Sequence, residues 1–243
     1  MRTIRIYQPG TYQPGDIVPL SESAAQHVGL VLRMPVGSEL NLFRGDNYEF
    51  KATICFAHKK NIQVCIDSMM AVNRESPRSI HLAQAIAKGD KMEWIIQKAV
   101  ELGVTSITPL LTERSVVRLD ETRLHKKQQQ WQAIAVSACE QSGRNDIPIL
   151  YPACSLEHYL LTTAAQHRFL LSPKATQSWP QIPLDTAELA LLIGPEGGFS
   201  EQEVQWAMQQ QAQSIRLGPR VLRTETAAIV ALGIMQTLYG DLS

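Results

Sequence analysis

Nothing in the 243 residues approaches the ~20 consecutive apolar side chains of a membrane span. Met1 to Gly15 mixes Arg, Gln and Pro with isolated apolar residues, so it does not read as a signal peptide either. A cytoplasmic protein without a membrane partner is the expectation. The four cysteines, Cys55, Cys65, Cys139 and Cys154, form no C-x-x-C pair and have no His-x-x-x-His companion. That excludes a zinc site by spacing, and no metal is expected. They read instead as small buried hydrophobes in a reducing compartment. Aromatics are only 6%, too few for an extended base-stacking platform. Net charge is zero, with 23 basic and 23 acidic residues, which argues against a protein that coats nucleic acid by bulk charge.

What is present is enough apolar content, 44%, to bury one large or two unequal cores. Residues 1 to 72 carry seven basic and six acidic side chains, residues 73 to 150 eleven and nine, and residues 151 to 243 five and eight. Any nucleic-acid surface must then be a local patch, best placed in the first two thirds of the chain. Between Glu39 and Asp67, LNLFR, YEFKATICF and IQVCID are three β-rich runs, separated by Gly45-Asp46-Asn47 and by His58-Lys59-Lys60. Ser23 and Gln26 form a capping-box pattern that opens a short helix before them, ended by Pro35. A β-barrel with one helix fits residues 1–72. Periodicity is lost over Met69 to Ser79, which places the domain boundary there and a second domain over 73–243.

From Ile80 the rhythm becomes strand, helix, strand: Ile80 to Ala87, Asp90 to Leu102, Thr105 to Leu111. Gly103 sits where a left-handed cap would end the helix. Helices follow near Asp120 to Gln141 and Ser155 to Gln166, with strands at Arg168 to Leu171 and Glu188 to Ile193. This alternation predicts an α/β fold with a mainly parallel sheet, whose ligands gather at the carboxyl ends of the strands.

Two loops carry the chemistry. In LLIGPEGGFSEQEVQWAM, Leu191 to Met208, an apolar strand runs into a glycine-rich loop and a helix capped by Ser200 and Glu203. Gly194, Gly197 and Gly198 let a backbone approach a flat ligand or adopt positive φ. The loop has neither the Walker Lys-Ser/Thr ending nor G-x-G-x-x-G. Glu196 at its centre would repel a polyphosphate and tolerate a cation, so an uncharged or cationic nucleoside is favoured. A plain strand-to-helix turn would use the same glycines for geometry alone. The second loop lies in SIRLGPRVLRTET, Ser214 to Thr226, where the strand Ile215 to Leu217 breaks at Gly218-Pro219 before a final helix from Thr224 to Tyr239. Arg220 and Arg223 border Val221-Leu222 there. They could face an anionic partner or pair with Glu225.

GPEGGFS at Gly194 to Ser200, LGPRVLRTETA at Leu217 to Ala227, KGDKMEWIIQKAVELGV at Lys88 to Val104, ERSV at Glu113 to Val116 and EQSGR at Glu140 to Arg144 occur in one order. Together they resemble the bacterial 16S rRNA uridine-N3 methyltransferases of the RsmE family, over nearly the whole chain. The resemblance implies a SPOUT-type catalytic domain with a C-terminal trefoil knot, a PUA-like N-terminal β-barrel for docking RNA, and a homodimer. It also implies S-adenosyl-L-methionine as cofactor, held by Leu171, Ile193, Gly194, Pro195, Glu196, Gly197, Leu217, Gly218, Val221, Leu222 and Thr224. The implied partner is 16S ribosomal RNA within the small subunit. Pro219 and Val221 occupy variable positions of the second loop.

Uridine N3 carries a proton at neutral pH and is a poor nucleophile until that proton leaves or the anion is stabilised. Glu196 is the candidate for proton removal, and Arg114 or Arg223 for holding the uracil oxygens. The N3 edge is hidden in a base pair, so the target must be unpaired or turned out of its stack. Arg5, Arg33, Lys88, Lys91, Arg114, Arg118 and Arg144 are candidates for binding RNA, each with a solvated or ion-paired alternative. Glu140 is expected to brace Arg144, and His27 and His81 to pack rather than ligate. The competing functions are a ribose 2′-O-methyltransferase of the same superfamily and a non-catalytic, ribosome-associated RNA-binding protein.

Overall fold

Each long run between residues 39 and 71 can bury only one of its faces, so alternation draws the runs into one antiparallel meander. The computed structural model describes residues 4–58, 61–115, 120–180 and 188–242. Its first part holds β1 (Arg5–Tyr7), β2 (Ile17–Pro19), α1 (Glu22–Gln26), β3 (Glu39–Phe43), β4 (Tyr48–His58) and β5 (Asn61–Ala71). The strands form a five-stranded sheet in the order β1-β3-β4-β5-β2, parallel only between β1 and β3. Register shifts between Lys51 and Ala52 and between Ile54 and Phe56 bend β4 against β5, giving the sheet a barrel-like curl. Leu40, Leu42, Phe50, Ile54, Val64 and Ile66 fill its interior, with Ala24, Ala25 and Val28 of the helical segment packed on them.

Three expectations need correction here. The cap of α1 is Ser21, whose hydroxyl accepts from the Ala24 amide, and not Ser23: the helix starts two residues earlier and passes into a π-turn over His27–Val31. Strand β5 runs on to Ala71, because Phe50 to Tyr48 of β4 continue to offer it backbone partners through Met69 and Met70. The cysteines are not uniformly buried. Cys55 is exposed, Cys65 and Cys154 are half-buried, and only Cys139 is fully interior, where burial pushes its thiol up to about 12.

The chain divides into two compact units, one comprising Met1–Glu75 with Cys139–Ile147, the other Ser76–Ala138 with Pro148–Ser243. A polar cluster sits inside the first. Arg5 and Arg74 both pair with Glu49. Arg5 Nη2 also donates to the carbonyl of Arg144 at 2.9 Å and to Asn145 Oδ1 at 2.6 Å. Arg144 Nε donates to both oxygens of Glu75 at 3.1 Å. Burial would raise the Glu49 carboxyl, but the hydrogen bond from Arg74 and the charge of Arg5 hold it below the usual 4.5. Glu140 does not brace Arg144; it accepts the Tyr7 amide at 2.9 Å, and burial raises its carboxyl.

The second unit holds β6 (Ser79–Ala85), α2 (Lys91–Glu101), β7 (Ser106–Leu111), most of α3 (Glu121–Ser142), β8 (Ile149–Leu150), β9 (Cys154–Ser155), α4 (Leu156–Thr162), β10 (His167–Leu171), β11 (Glu188–Ile193), α5 (Glu201–Gln209), β12 (Ala212–Ile215) and α6 (Thr224–Tyr239). Six strands run β12-β10-β11-β6-β7-β8, with β9 also on β7, and every pairing is parallel. The central strands are apolar on both faces, as a parallel sheet covered by helices requires. α2 buries Met92, Ile95, Ile96, Ala99 and Val100, a 3.6-residue stripe packed on α6. Gly103 ends α2 at φ 78°, where an L side chain is strained and a Cβ would stand 2.7 Å from Gln236 Nε2. Among the described residues no helix is long and apolar enough to cross a membrane, and no group of three or more His, Cys, Asp and Glu could hold a metal.

Candidate functional site

In a parallel sheet the carboxyl ends of all strands open on one edge, and the segments leaving β10, β11 and β12 there carry Leu171, Ile193 and Ile215. The loop after β11 begins at Gly194. A Cβ on this residue would lie 2.9 Å from the Phe199 amide nitrogen and 3.1 Å from Gly198, so only glycine lets the loop fold back on itself. The Gly198 amide closes a β-turn on the Pro195 carbonyl at 2.8 Å, placing Glu196 and Gly197 at the turn's tip. Of the three glycines only Gly198 has positive φ, 67°. Gly197 is confined by Arg114, whose Cβ would be 3.3 Å from an added methyl.

Side chains from several elements hold this loop. Ser200 and Glu203 form the full capping box of α5. Glu203 also accepts the amide of Glu113 at 2.9 Å. Arg114 Nη1 donates to the carbonyls of Gly197 at 3.2 Å and Phe199 at 3.4 Å. Glu196 accepts from Lys91 Nζ at 2.9 Å and from the Lys88 amide at 3.2 Å. Burial acts to raise the Glu196 carboxyl, yet the Lys91 hydrogen bond and the surrounding amides outweigh it and keep the group below the ordinary 4.5. Lys91 is raised in turn by that hydrogen bond, with Glu225 adding to the effect from 3.7 Å.

The loop after β12 is more open. Leu217 and Leu222 are half-buried, while Gly218, Pro219, Arg220 and Arg223 are exposed. Val221 is 81% exposed, an apolar side chain standing in solvent. Thr224 closes the loop from within: its hydroxyl donates to the Gly194 carbonyl at 2.6 Å and accepts from Gln84 Nε2 at 3.1 Å. The two loops are therefore joined at their roots. Two hollows flank the Ser172–Pro173 segment. One, of about 660 Å3, lies between that segment, Gly197–Phe199 and α5, and holds Arg114, Lys174 and Glu201. The other, of about 60 Å3, is lined by Leu217, Arg220, Val221 and Leu222.

The cofactor candidates thus gather on one edge: Leu171 and Gly197 face the larger hollow, Leu217, Val221 and Leu222 the smaller, and Gly194 and Thr224 join the loops. The cation candidates do not gather. Arg5 and Arg144, with side chains only 11% and 5% exposed, are consumed by ion pairs inside the first unit, which corrects their expected place on an RNA surface. Arg33 and Lys88 are exposed, and Lys91 is engaged with Glu196. Arg118 lies outside the described residues, as do Lys59 and Lys60. Arg223 pairs with no carboxylate in the described residues; Glu225 faces Lys91 instead. Sequence reasoning missed Ser172 to Gln177, which lacks any periodicity, and Gln84, whose only signal is a polar residue among the apolar residues Leu82, Ala83, Ala85 and Ile86.

A family model for the RNA methyltransferase domain matches residues 74–236. Ribosomal RNA small subunit methyltransferase E of Buchnera aphidicola from Schizaphis graminum is 39% identical over 243 residues, spanning 100% of this chain and 99% of that protein. The chain belongs to the RsmE family of RNA methyltransferases. The RsmE protein of Bacillus subtilis is 34% identical, with 88% of this chain and 89% of that one covered. Among solved structures, a Legionella pneumophila protein with bound SAM superposes with a TM-score of 0.97 at 50% identity over 100% of both chains. RsmE of Neisseria gonorrhoeae bound to S-adenosyl methionine superposes with a TM-score of 0.92 at 35% identity, again over 100% of both chains.

Proposed function

We propose that this chain methylates N3 of one specific uridine in small-subunit (16S) ribosomal RNA, with S-adenosylmethionine as methyl donor. The observation that carries the reading is the pair of loops on the carboxyl edge of the parallel sheet, tied through Thr224 and Gly194, in a chain whose relatives at 50% and 35% identity were solved with that compound bound. The residues fit such a ligand. Gly218 has open space where a Cβ would sit, Val221 offers an uncovered apolar face, and Glu196 is a carboxylate suited to a cationic neighbour. Leu171, Ile193, Gly194, Pro195, Gly197, Leu217 and Leu222 complete the proposed pocket, and Thr224, buried beneath it with its hydroxyl spent on Gly194 and Gln84, ties the two loops together.

S-adenosylmethionine supplies an electrophilic methyl group, which leaves the protein two tasks: placing uridine N3 in line with it, and managing the N3 proton. Glu196 is poorly suited to the second. A carboxylate held low by Lys91 is a weak base, so we assign it to the donor's positive charge and not to proton removal. Arg223 and Arg114 are then the groups that stabilise negative charge spreading onto the uracil oxygens as the proton departs to solvent. Arg33 and Lys88 are exposed cations available to phosphates.

The finer architecture belongs to the same reading: a trefoil knot in residues 73–243, a PUA-like RNA-docking domain in residues 1–72, and a homodimer acting in the cytoplasm on the assembled subunit. The insertion of β11 between β10 and β6 supports the first, and the barrel-like five-stranded sheet supports the second. Mass-spectrometric mapping of nucleosides in 16S rRNA from cells with and without the gene tests the activity. Loss of 3-methyluridine is expected, and an unchanged profile would refute it.

A further inference from the structure

Gln84 is fully buried on β6, paired with Ile193 on one side and Pro109 on the other, in a strand otherwise apolar at its centre. An amide at such a place is unexpected, since a leucine would pack there without a hydrogen-bonding demand. Its bonding is specific. Nε2 donates one hydrogen to the Ala85 carbonyl at 2.9 Å and the other to Thr224 Oγ1 at 3.1 Å, which frees the threonine hydrogen for the Gly194 carbonyl at 2.6 Å. The opposite orientation of the amide would set two acceptors against each other at Ala85, so the direction of the chain is fixed. Oε1 is left buried with no partner among the described residues. One half of the group is thus unsatisfied while the other half orders both loop roots.

We propose that Gln84 is a positioning residue of the methyl-donor site, setting the first loop against the second through Thr224. The idea rests on the reading of these loops as the S-adenosylmethionine site. Gln84 does not touch the ligand. It polarises the Thr224 hydroxyl, which holds the Gly194 carbonyl in place. Gly194, pressed against Phe199 and Gly198, transmits that position to the turn carrying Glu196. A hydrogen-bonded chain in a dry interior acts as a unit, so removing either Gln84 or Thr224 should release the same loop.

Calorimetric titration of S-adenosylmethionine into the full-length protein tests this, using Gln84→Leu, Thr224→Val, the double variant and Thr224→Ser. Gln84→Leu and Thr224→Val are each expected to weaken binding about tenfold, the size of one buried network hydrogen bond. The double variant should be no weaker than either single one, because both act on one tie. Thr224→Ser, which keeps the hydroxyl, should bind within about twofold of wild type. In turnover, the KM for S-adenosylmethionine should rise in Gln84→Leu while the KM for RNA stays unchanged, a split that general loosening of the fold would not produce. Wild-type affinity in Gln84→Leu, or a double variant weakened by the product of the two single effects, overturns the positioning role. If Gln84→Leu does not fold, Gln84→Met, which keeps the length of the side chain without its amide, decides: wild-type affinity overturns the proposal, and a loss of about tenfold supports it. A wild-type chain that binds no S-adenosylmethionine overturns the reading of the loops themselves, a result separable from all of these.

Discussion

Glu49 in the first unit and Glu196 in the second are both carboxylates held below their ordinary range by basic neighbours, yet they sit in different surroundings. Glu49 is 8% exposed and shared by two arginines, whereas Glu196 is 30% exposed and meets one lysine that is itself 32% exposed. A carboxylate buried among its partners is out of a visitor's reach, so its worth lies in keeping the chain folded. An open pair is screened by water and weakly held, and it can exchange partners when a ligand arrives. Identical residue types therefore do opposite work, and burial decides which.

The largest effect should come from breaking the closed cluster. Arg144→Ala would strand Glu75 in the interior and should cost about 3–5 kcal/mol of unfolding free energy by urea denaturation; a loss under about 1 kcal/mol would place the pair among ordinary surface contacts. Glu49 should next reveal itself in acid. Its folded pKa lies below the unfolded value, so its stabilisation is present above pH 4.5 and disappears as pH falls through the folded value. Stability curves of wild type and Glu49→Gln should be well separated at neutral pH and converge below pH 4.5; parallel curves would deny the coupling. Glu196→Gln should behave as befits the open pair. Folding stability should stay within about 0.5 kcal/mol, and turnover at saturating substrates should remain near wild type, with the KM for S-adenosylmethionine raised several-fold. Loss of turnover at saturation would return Glu196 to the role of base. Ser200→Ala, which removes half of the α5 capping box, should cost about 1 kcal/mol by thermal unfolding.

Local signals were legible. Strand Glu188–Ile193, the Ser200–Glu203 box and the helix Thr224–Tyr239 stand where alternation, capping residues and the 3.6-residue stripe place them. The glycine-bearing loops were legible too, because a motif keeps its ligand groups close in sequence. What stayed hidden depends on pairs distant along the chain. Arg5 reaches the carbonyl of Arg144 across 139 positions, and no periodicity distinguishes an arginine bound for such a partner from one bound for phosphate. Gln84 meets Thr224 across 140 positions. The misplaced cap of α1 has another cause: Ser21 and Ser23 are both competent, and packing of Ala24 and Ala25 on the barrel-like sheet selects the earlier start.

The turn that carries Glu196 has no slack: Gly194 is wedged against Phe199, its carbonyl is occupied, and Arg114 clasps the far side. Half of the proposed donor pocket is consequently shaped as the chain folds. The other half, with Val221 in water, is open to solvent. Donor binding at the proposed pocket should then cost little ordering of the first loop while drawing Val221 out of water.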